Sequence, residues 1–336
     1  MKLSLEQLRA ITCGAVSVEQ EADGVHFYRF TQEQLALYKV RLPEFYSRSL
    51  STAGVRFCFR TNSRKVALEA TLTPQAGVRR FFSFDVFVNG EFKANWSNFD
   101  GVEMTGNYKE TPLPVGDFSA ETDLGEGQKE VSIQLPWGMW VALKGLYLDD
   151  DATVIPVKRD KKLLCFGDSI TQGYDSLCPS HRYASQLSDY LNAEECSRAI
   201  GGEVFFPELA KTKESFVPDI ITVAYGTNDF AAIPVESFRK NCKGFYENLR
   251  RTYPDVPIYA ITPIWRENQV SDVDHTDFQY IEQYIREVTA PLDNVTVIRG
   301  YDLVPHDGSY FGDLVLHPND KGFDNYIKNL IQAMNL

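Results

Sequence analysis

Apolar and polar side chains alternate along the first 150 residues, which is the pattern of half-buried β-strands. The clearest alternating stretches are residues 55–59, 65–72 and 130–135. Two further stretches flank the dipeptide Asn89-Gly90, which supplies the positive φ angles of a type I′ hairpin turn. Several antiparallel strands joined in this way predict an all-β sandwich or jelly-roll domain over residues 1–152.

After about residue 155 the hydrophobic pattern changes its period. Short stretches rich in apolar and β-branched residues, typical of strands covered on both faces, occupy residues 162–167, 219–226, 256–262 and 294–300. Apolar residues recur at three- and four-residue steps in the segments 235–249, 278–288 and 323–334. This alternation predicts βαβ units around a mostly parallel sheet, forming an α/β domain over residues 160–336.

Composition narrows the classes of partner. The formal net charge is −12 and the isoelectric point is near 5.0, so phosphate backbones would repel the chain and nucleic acid is excluded as a partner. Six scattered cysteines without a C-x-x-C pair predict free thiols. The N-terminus lacks the apolar core of a signal peptide, and no stretch approaches the ~20 apolar residues of a membrane span. A cytoplasmic protein without a membrane partner is expected, and its oligomeric state is left open.

Polar residues whose side chains can take part in catalysis follow the predicted parallel strands. Ligands bind at the carboxyl ends of such strands, where the blocks 167–171 and 226–229 lie, and a third block, 317–319, precedes the last helix. A serine hydroxyl, here Ser169, becomes a nucleophile when a base such as His317 takes its proton. Asn228 and backbone N–H groups are suitable donors for the oxyanion that then develops.

The order and wording of these blocks resemble the SGNH (GDSL-type) hydrolase family over about residues 160–336. The resemblance implies a flavodoxin-like three-layer fold with Ser169 as nucleophile and His317 as general base. The segment 197–202 is similar to the glycine block of the family. An oxyanion hole made by Ser169 N–H, Gly202 N–H and the Asn228 amide is therefore implied. Gly202 is preferred to Gly201 because the family's glycine closes its block.

One position departs from the family pattern. The family usually places an aspartate three residues before the histidine, and that position is Leu314 here. Asp313 lies four residues before His317, so a one-residue bulge would be needed to aim its carboxylate at the imidazole. Alternatively, a backbone carbonyl orients the ring and leaves a Ser–His dyad, as in esterases that resemble carbohydrate esterase family 2. The sequence leaves both arrangements open.

Other candidate residues have a structural alternative. Trp265 follows a parallel strand, so it is either a packing aromatic or a wall of the substrate pocket. Asp168 is expected to cap a helix rather than act as an acid. The acidic segment 272–277, which includes His275, precedes a helix and matches no standard metal-site spacing. Neither a metal nor an organic cofactor is expected.

The two-domain layout, an N-terminal jelly roll before the hydrolase domain, also resembles carbohydrate esterase family 2. This resemblance implies a serine esterase that removes small acyl groups, above all acetyl, from carbohydrates through an acyl-enzyme. The partner would then be an acetylated oligosaccharide. Two alternatives remain: a lipid or thioester acylhydrolase that uses the same site, and a carbohydrate-binding protein without catalytic activity.

Overall fold

The computed structural model describes residues 1–336, and its N-terminal half is built on two antiparallel sheets. Their strands are β1 (Thr12–Cys13), β2 (Ser17–Gln20), β3 (Val25–Tyr28), β4 (Arg56–Thr61), β5 (Lys65–Pro74), β6 (Ser83–Val88), β7 (Glu91–Ser97), β8 (Gly116–Asp123), β9 (Lys129–Gln134), β10 (Met139–Leu148) and β11 (Ile155–Pro156). One sheet has the order β1-β4-β9-β6-β7 with β11 against β4, and the other has the order β2-β3-β10-β5-β8. The predicted β-sandwich is confirmed.

The predicted hairpin forms between β6 and β7. Asn89 and Gly90 both have positive φ, 52° and 83°, as a type I′ turn requires. The alternation seen in the sequence becomes alternation in burial, since Val66, Leu68 and Leu72 of β5 are buried in the sandwich core. Apolar alternation therefore identified the strand and the face that it buries.

Three helices lie in the N-terminal half, which the sequence analysis described by its strands alone. They are α1 (Leu5–Ile11), α2 (Gln32–Arg41) and α3 (Pro43–Ser49). A capping box between Thr31 and Gln34 starts α2. Leu35, Tyr38 and Phe45 do not enter the sandwich core but share a hydrophobic core with the C-terminal half. Helices α2 and α3 therefore pack as part of the C-terminal half of the molecule.

The C-terminal half contains a five-stranded parallel sheet between two layers of helices. Its strands are β12 (Lys161–Gly167), β13 (Ala193–Ala199), β14 (Ile220–Ala224), β15 (Ile258–Ile261) and β16 (Val295–Ile298), in the order β13-β12-β14-β15-β16. Its helices are α4 (Ser169–Gln172), α5 (Tyr183–Tyr190), α6 (Thr227–Ala232), α7 (Val235–Thr252), α8 (Gln279–Thr289) and α9 (Asp320–Ala333). Helices α7 and α8 pack on one face, and α5 and α9 on the other. The predicted flavodoxin-like three-layer fold is confirmed.

Polar contacts join the two halves. Arg56 of β4 forms an ion pair of 2.6 Å with Asp189, and the indole N–H of Trp137 donates to Ser176 O at 2.8 Å. Arg29 is fully buried and donates to Ala199 O, at the end of β13, at 2.8 Å. Burial lowers the pKa of Arg29 to about 9. The N-terminal half therefore contacts the sheet edge at which a ligand of a parallel sheet binds.

None of the helices combines the length and the apolar character needed to cross a bilayer. The six cysteines form no disulfide, and Cys13, Cys165, Cys196 and Cys242 are buried. The fold is therefore held by packing and polar contacts rather than by covalent cross-links.

Candidate active site

Ser169 stands at a tight turn between β12 and α4. Gly167 ends the strand, and a Cβ at that position would lie 2.1 Å from Thr171 Oγ1, so only glycine fits. The Asp168 carboxylate accepts the Ile170 N–H at 2.9 Å and caps the helix, as expected from the sequence. Ser169 begins α4 with 2% of its surface exposed, at the carboxyl end of a central strand.

Three side chains that the sequence analysis singled out form one hydrogen-bonded row. Ser169 Oγ lies 2.8 Å from His317 Nε2, and His317 Nδ1 lies 2.6 Å from Asp313 Oδ2. A carboxylate only accepts hydrogen bonds, so Nδ1 carries the proton and Nε2 is free to accept the serine proton. The row has the geometry of a Ser–His–Asp triad.

The extra residue between Asp313 and His317 is accommodated by a tight loop. Leu314 is 47% exposed and adopts a left-handed conformation with φ 65°. Inside the loop, Asp313 Oδ1 accepts the N–H groups of Val315 at 3.0 Å, Leu316 at 2.8 Å and His317 at 3.0 Å. This is the bulge that the sequence required, and the partner of Nδ1 is a carboxylate rather than a backbone carbonyl.

The environment of Asp313 keeps it ionised. Burial raises the pKa of this carboxyl, but the hydrogen bond and charge of His317 and the N–H donors of the loop outweigh burial. The pKa of Asp313 is held well below its usual range. A charged acceptor therefore faces the imidazole throughout the physiological pH range.

Three unused donors lie beside the serine. The Gly201 N–H donates to Gln172 Oε1 at 2.8 Å, whereas the N–H groups of Gly202 and Ser169 have no acceptor in the chain. Asn228 Nδ2 donates one hydrogen to Glu203 O at 3.0 Å and retains a second. These contacts leave the Gly202 N–H free and the Gly201 N–H occupied, and the role of Gly202 as an oxyanion donor stays a prediction.

The backbone of Gly201 and Gly202 needs the small size of glycine and is held by an arginine from the N-terminal half. A Cβ on Gly201 would lie 2.1 Å from the Tyr174 hydroxyl, and Gly202 has a φ of 79°. Arg48 of α3 donates to Gly201 O at 2.5 Å. The N-terminal half therefore helps to hold the backbone that presents the free Gly202 N–H.

Two residues at the site were missed by the sequence analysis. Arg79, in the loop between β5 and β6, donates through Nε to Asp175 Oδ1 at 2.8 Å and through Nη2 to Asp175 Oδ2 at 3.1 Å. The same Nη2 lies 3.2 Å from His317 Nδ1. Asp175 follows α4 in a left-handed conformation with φ 66°. Neither residue belongs to a recognisable motif, and Arg79 is 238 positions from His317 in the chain.

Asp175, Asp313 and His317 are close enough together to resemble a metal site. However, both Asp175 oxygens accept hydrogen bonds from Arg79, and His317 Nδ1 is engaged by Asp313. The guanidinium charge lies where a cation would have to bind, and it would repel one. The donors therefore fit a hydrogen-bonded charge network rather than a metal centre.

The acidic segment 272–277 serves the backbone. Asp274 accepts the Val235 N–H at 2.8 Å, and Asp277 accepts the Gln279 N–H at 2.9 Å. His275 is buried, with Nε2 at 2.9 Å from Ile233 O. Two of its three aspartates, Asp274 and Asp277, are therefore explained by capping.

Trp265 lies after β15 in a cluster of aromatic rings. It stacks on His306 with ring centroids 5.5 Å apart and 11° between the planes, and its centroid is 5.4 Å from that of Phe311. One face of the indole is therefore covered by His306. A role for Trp265 as a pocket wall remains a prediction.

Three buried carboxyl groups lie beneath the glycine and asparagine blocks: Asp168, Glu203 and Asp229. Burial raises the pKa of Asp168 to about 7 and that of Asp229 to about 8, and repulsion among the three adds to the effect. Asp229 Oδ1 accepts the Phe205 N–H at 3.2 Å, but Oδ2 has no partner. At neutral pH the protonated form of Asp229 is therefore favoured.

We expect Asp229→Asn to flatten the pH dependence of stability. A group whose pKa is raised on folding, here to about 8, contributes stability that is complete below its unfolded pKa of ~3.9 and is lost as pH rises through the folded pKa. Between pH 6 and 8 the wild type should lose about 2 kcal/mol that the variant retains. Urea unfolding at both pH values measures the difference. Asp160→Asn, at an exposed position, is the control and should lose as much stability as the wild type. If Asp229→Asn also lost as much unfolding free energy between pH 6 and 8 as the wild type, the assignment to Asp229 would be contradicted.

Comparisons with known proteins agree with this geometry. The family model of GDSL-like lipases and acylhydrolases matches residues 165–324, which include Ser169, Gly202, Asn228, Asp313 and His317. No curated protein sequence matches the chain.

Solved structures resemble nearly the whole chain. A salicylyl-acyltransferase from a tetracycline biosynthetic pathway is 20% identical over 96% of this chain and 93% of its own, with a TM-score of 0.76. A family two carbohydrate esterase from Cellvibrio japonicus is 15% identical over 100% of this chain and 98% of its own, with a TM-score of 0.64. One from Clostridium thermocellum, solved with cellohexaose, is 17% identical over 85% and 93%, with a TM-score of 0.62.

At these identities the likeness to solved structures shows the fold: a β domain followed by a parallel α/β domain. The family match covers residues 165–324 of the α/β domain, with the row of Ser169, His317 and Asp313 inside it. This segment is similar to the GDSL-like lipases and acylhydrolases, and the protein is a hydrolase that acts on ester bonds.

Proposed function

We propose that the protein hydrolyses small acyl esters, above all acetyl esters, of carbohydrates through a serine acyl-enzyme. The observation that carries the proposal is the row Ser169–His317–Asp313 beside three unused N–H donors. His317 Nε2 takes the proton of Ser169 Oγ as this oxygen attacks the ester carbonyl carbon. Asp313 stabilises the imidazolium that forms.

The carbonyl oxygen acquires a negative charge in this step. The N–H groups of Ser169 and Gly202 and the free amide hydrogen of Asn228 would hold it, and one such donor contributes roughly 2.7–4 kcal/mol of transition-state stabilisation. His317 then returns its proton to the alkoxy oxygen, and the sugar alcohol leaves. A water molecule, deprotonated by His317, cleaves the acyl-enzyme and releases the acid.

Crowding around Ser169 supports a small acyl group. Ser169 is only 2% exposed, so little of its surface is open to a ligand. Next to His317, the rings of Trp137 and Tyr174 pack with centroids 5.1 Å apart, and the Tyr174 ring contacts the imidazole. A long acyl chain would need space that these side chains fill.

The carbohydrate part of the proposal is supported by the domain layout. Two structural neighbours with the same layout are named as family two carbohydrate esterases, and another is named as an acetyl xylan esterase. Six free cysteines suit a reducing compartment, so we further propose a cytoplasmic enzyme that acts on acetylated oligosaccharides. Recovery of the protein from the culture medium of its native host would contradict this location.

A series of p-nitrophenyl esters from acetate to palmitate tests the acyl preference. We expect kcat/KM to be highest for acetate and to fall at least tenfold by octanoate, because the crowded site excludes long chains. Acetylated xylo- and cello-oligosaccharides are then assayed by release of free acetate, which separates hydrolysis from acyl transfer to another hydroxyl. A maximal rate on long chains would favour the lipid or thioester acylhydrolase instead.

The non-catalytic alternative is tested with the same oligosaccharides. Binding of the oligosaccharides measured by calorimetry, without turnover of any ester, would indicate a carbohydrate-binding protein.

The Trp265→Ala variant tests the role of this ring. A change confined to KM for the oligosaccharides would assign the ring to the sugar site, and unchanged kinetic constants would leave it a packing residue.

A further inference from the structure

Arg79 enters the site from the opposite half of the molecule. It lies in the loop between β5 and β6, next to Val78, which is 63% exposed, whereas Arg79 itself is only 9% exposed. Its guanidinium stacks over the Tyr174 ring, 4.8 Å from the centroid, and forms a bidentate pair with Asp175, which is fully buried. Burial lowers the pKa of Arg79, but the pairing with Asp175 more than compensates, so the group stays charged.

Two carboxylates compete for the same imidazole nitrogen. His317 Nδ1 lies 2.6 Å from Asp313 Oδ2 and 3.9 Å from Asp175 Oδ2. Both charges favour the imidazolium form, which cannot act as a base. Arg79 Nη2, at 3.2 Å from Nδ1, neutralises Asp175 and adds a positive charge on the same side of the ring.

The number of hydrogen bonds that His317 Nδ1 can make determines how Arg79 acts on it. Nδ1 has one position for a hydrogen bond, and at 2.6 Å the Asp313 carboxylate occupies it as acceptor of the N–H. Arg79 Nη2 can only donate, so it does not bond to a protonated Nδ1 and acts through its charge and through Asp175. Were it to donate to Nδ1, the proton would move to Nε2, which then could not accept from Ser169.

We propose that Arg79 is a positioning residue that the N-terminal domain inserts beside His317, where it pairs with Asp175 and offsets its charge, so that Asp313 alone holds the Nδ1 proton. The proposal rests on the ester hydrolysis proposed above. It makes the N-terminal domain a functional part of the reaction centre rather than an attached module.

The remaining groups around the ring do not replace Arg79. The Tyr174 ring packs against His317 with centroids 5.4 Å apart, and burial raises the pKa of its hydroxyl, so it is neutral. The positive charge of Arg266 acts on Asp313 from a position where it donates to Thr227 O. Asp313, Asp175 and Arg79 are therefore the charged groups that contact or approach Nδ1.

The test compares Arg79→Gln, Asp175→Asn and the double variant with the wild type. Histidine-labelled protein is titrated by NMR to follow His317, and kcat/KM for p-nitrophenyl acetate is measured from pH 5 to 9. In Arg79→Gln the uncovered Asp175 should move the His317 titration and the acid limb of kcat/KM upward by about one pH unit. At pH values below the wild-type midpoint activity should fall by up to about tenfold, and it should recover at pH 9.

The other variants give opposite signs. Asp175→Asn leaves Arg79 uncompensated and should move the titration to lower pH, whereas the double variant should return it near the wild-type position. Arg79→Lys keeps the charge but loses the bidentate pair, so it should preserve most of the wild-type midpoint. Arg56→Gln, which breaks the interdomain pair with Asp189, is the matched control and should leave the titration unchanged.

A merely structural role for Arg79 predicts a different pattern. Activity would then fall equally at every pH, in Arg79→Gln and in the Arg56→Gln control, without movement of the His317 signal. A folded Arg79→Gln protein whose His317 titration coincides with that of the wild type would overturn the proposal. If the titrations move as expected but the wild type cleaves no ester, the proposed function fails and the positioning by Arg79 stands.

Discussion

Replacing Ser169 with alanine is expected to lower kcat/KM for p-nitrophenyl acetate by about 10⁴-fold or more, because no other hydroxyl group is hydrogen-bonded to His317 Nε2. The residual rate would come from water attack assisted by the oxyanion donors. Stability should change little, since the hydroxyl makes only this one hydrogen bond. The measurement is steady-state hydrolysis together with thermal unfolding of both proteins.

Covalent labelling gives the same prediction without a substrate. A fluorophosphonate probe should label the wild type and fail to label Ser169→Ala. Ser309→Ala is the matched control, because Ser309 is exposed and makes no contact with His317. Labelling that persists in a folded Ser169→Ala protein would remove this residue from the mechanism.

Asp313→Asn should reduce kcat by about 10³- to 10⁴-fold, with little change in KM. The asparagine oxygen can still accept the three N–H groups of the loop, so the backbone should be preserved. Its NH₂ group would then face His317 Nδ1 and donate to it. The ring proton would be held on Nε2, which could no longer accept the proton of Ser169.

Asp307→Asn serves as the control for this change. Asp307 lies in the same segment, where its carboxylate accepts the Ser309 N–H at 2.8 Å, so a change in loop stability alone would be seen in both variants. Asp313→Asn with a rate within a few-fold of the wild type would remove Asp313 from the mechanism. The double variant with Asp175→Asn would then show whether Asp175, 3.9 Å from Nδ1, had taken over.

Local sequence predicted those parts of the fold that are determined by nearest neighbours along the chain. Apolar alternation identified β5, and the Asn89-Gly90 turn identified the hairpin, because strand burial and turn geometry depend on a few adjacent residues. Helix α2 was missed although Thr31 and Gln34 form a capping box, which is a detectable start signal. Its weakly amphipathic sequence conceals a buried face that only the C-terminal core explains.

The same division holds at the site. Ser169 and Asn228 follow strands of one sheet, so their proximity is a consequence of topology. The reach of Asp313 could not be predicted, because it depends on the left-handed conformation of Leu314, an uncommon state for such a residue. Arg79 could not be predicted either, since its position depends on how two separately patterned halves of the chain pack together.

The pair of helices α2 and α3 has a consequence for recombination between related proteins. A crossover at the charged stretch 149–162 looks natural in the sequence, yet it would separate Leu35, Tyr38 and Phe45 from the aromatic core that they complete. The boundary between the two packed halves therefore does not fall at a single point in the sequence. A chimaera that exchanges the C-terminal half has to carry residues 30–50 with it, because these residues pack in the core of that half.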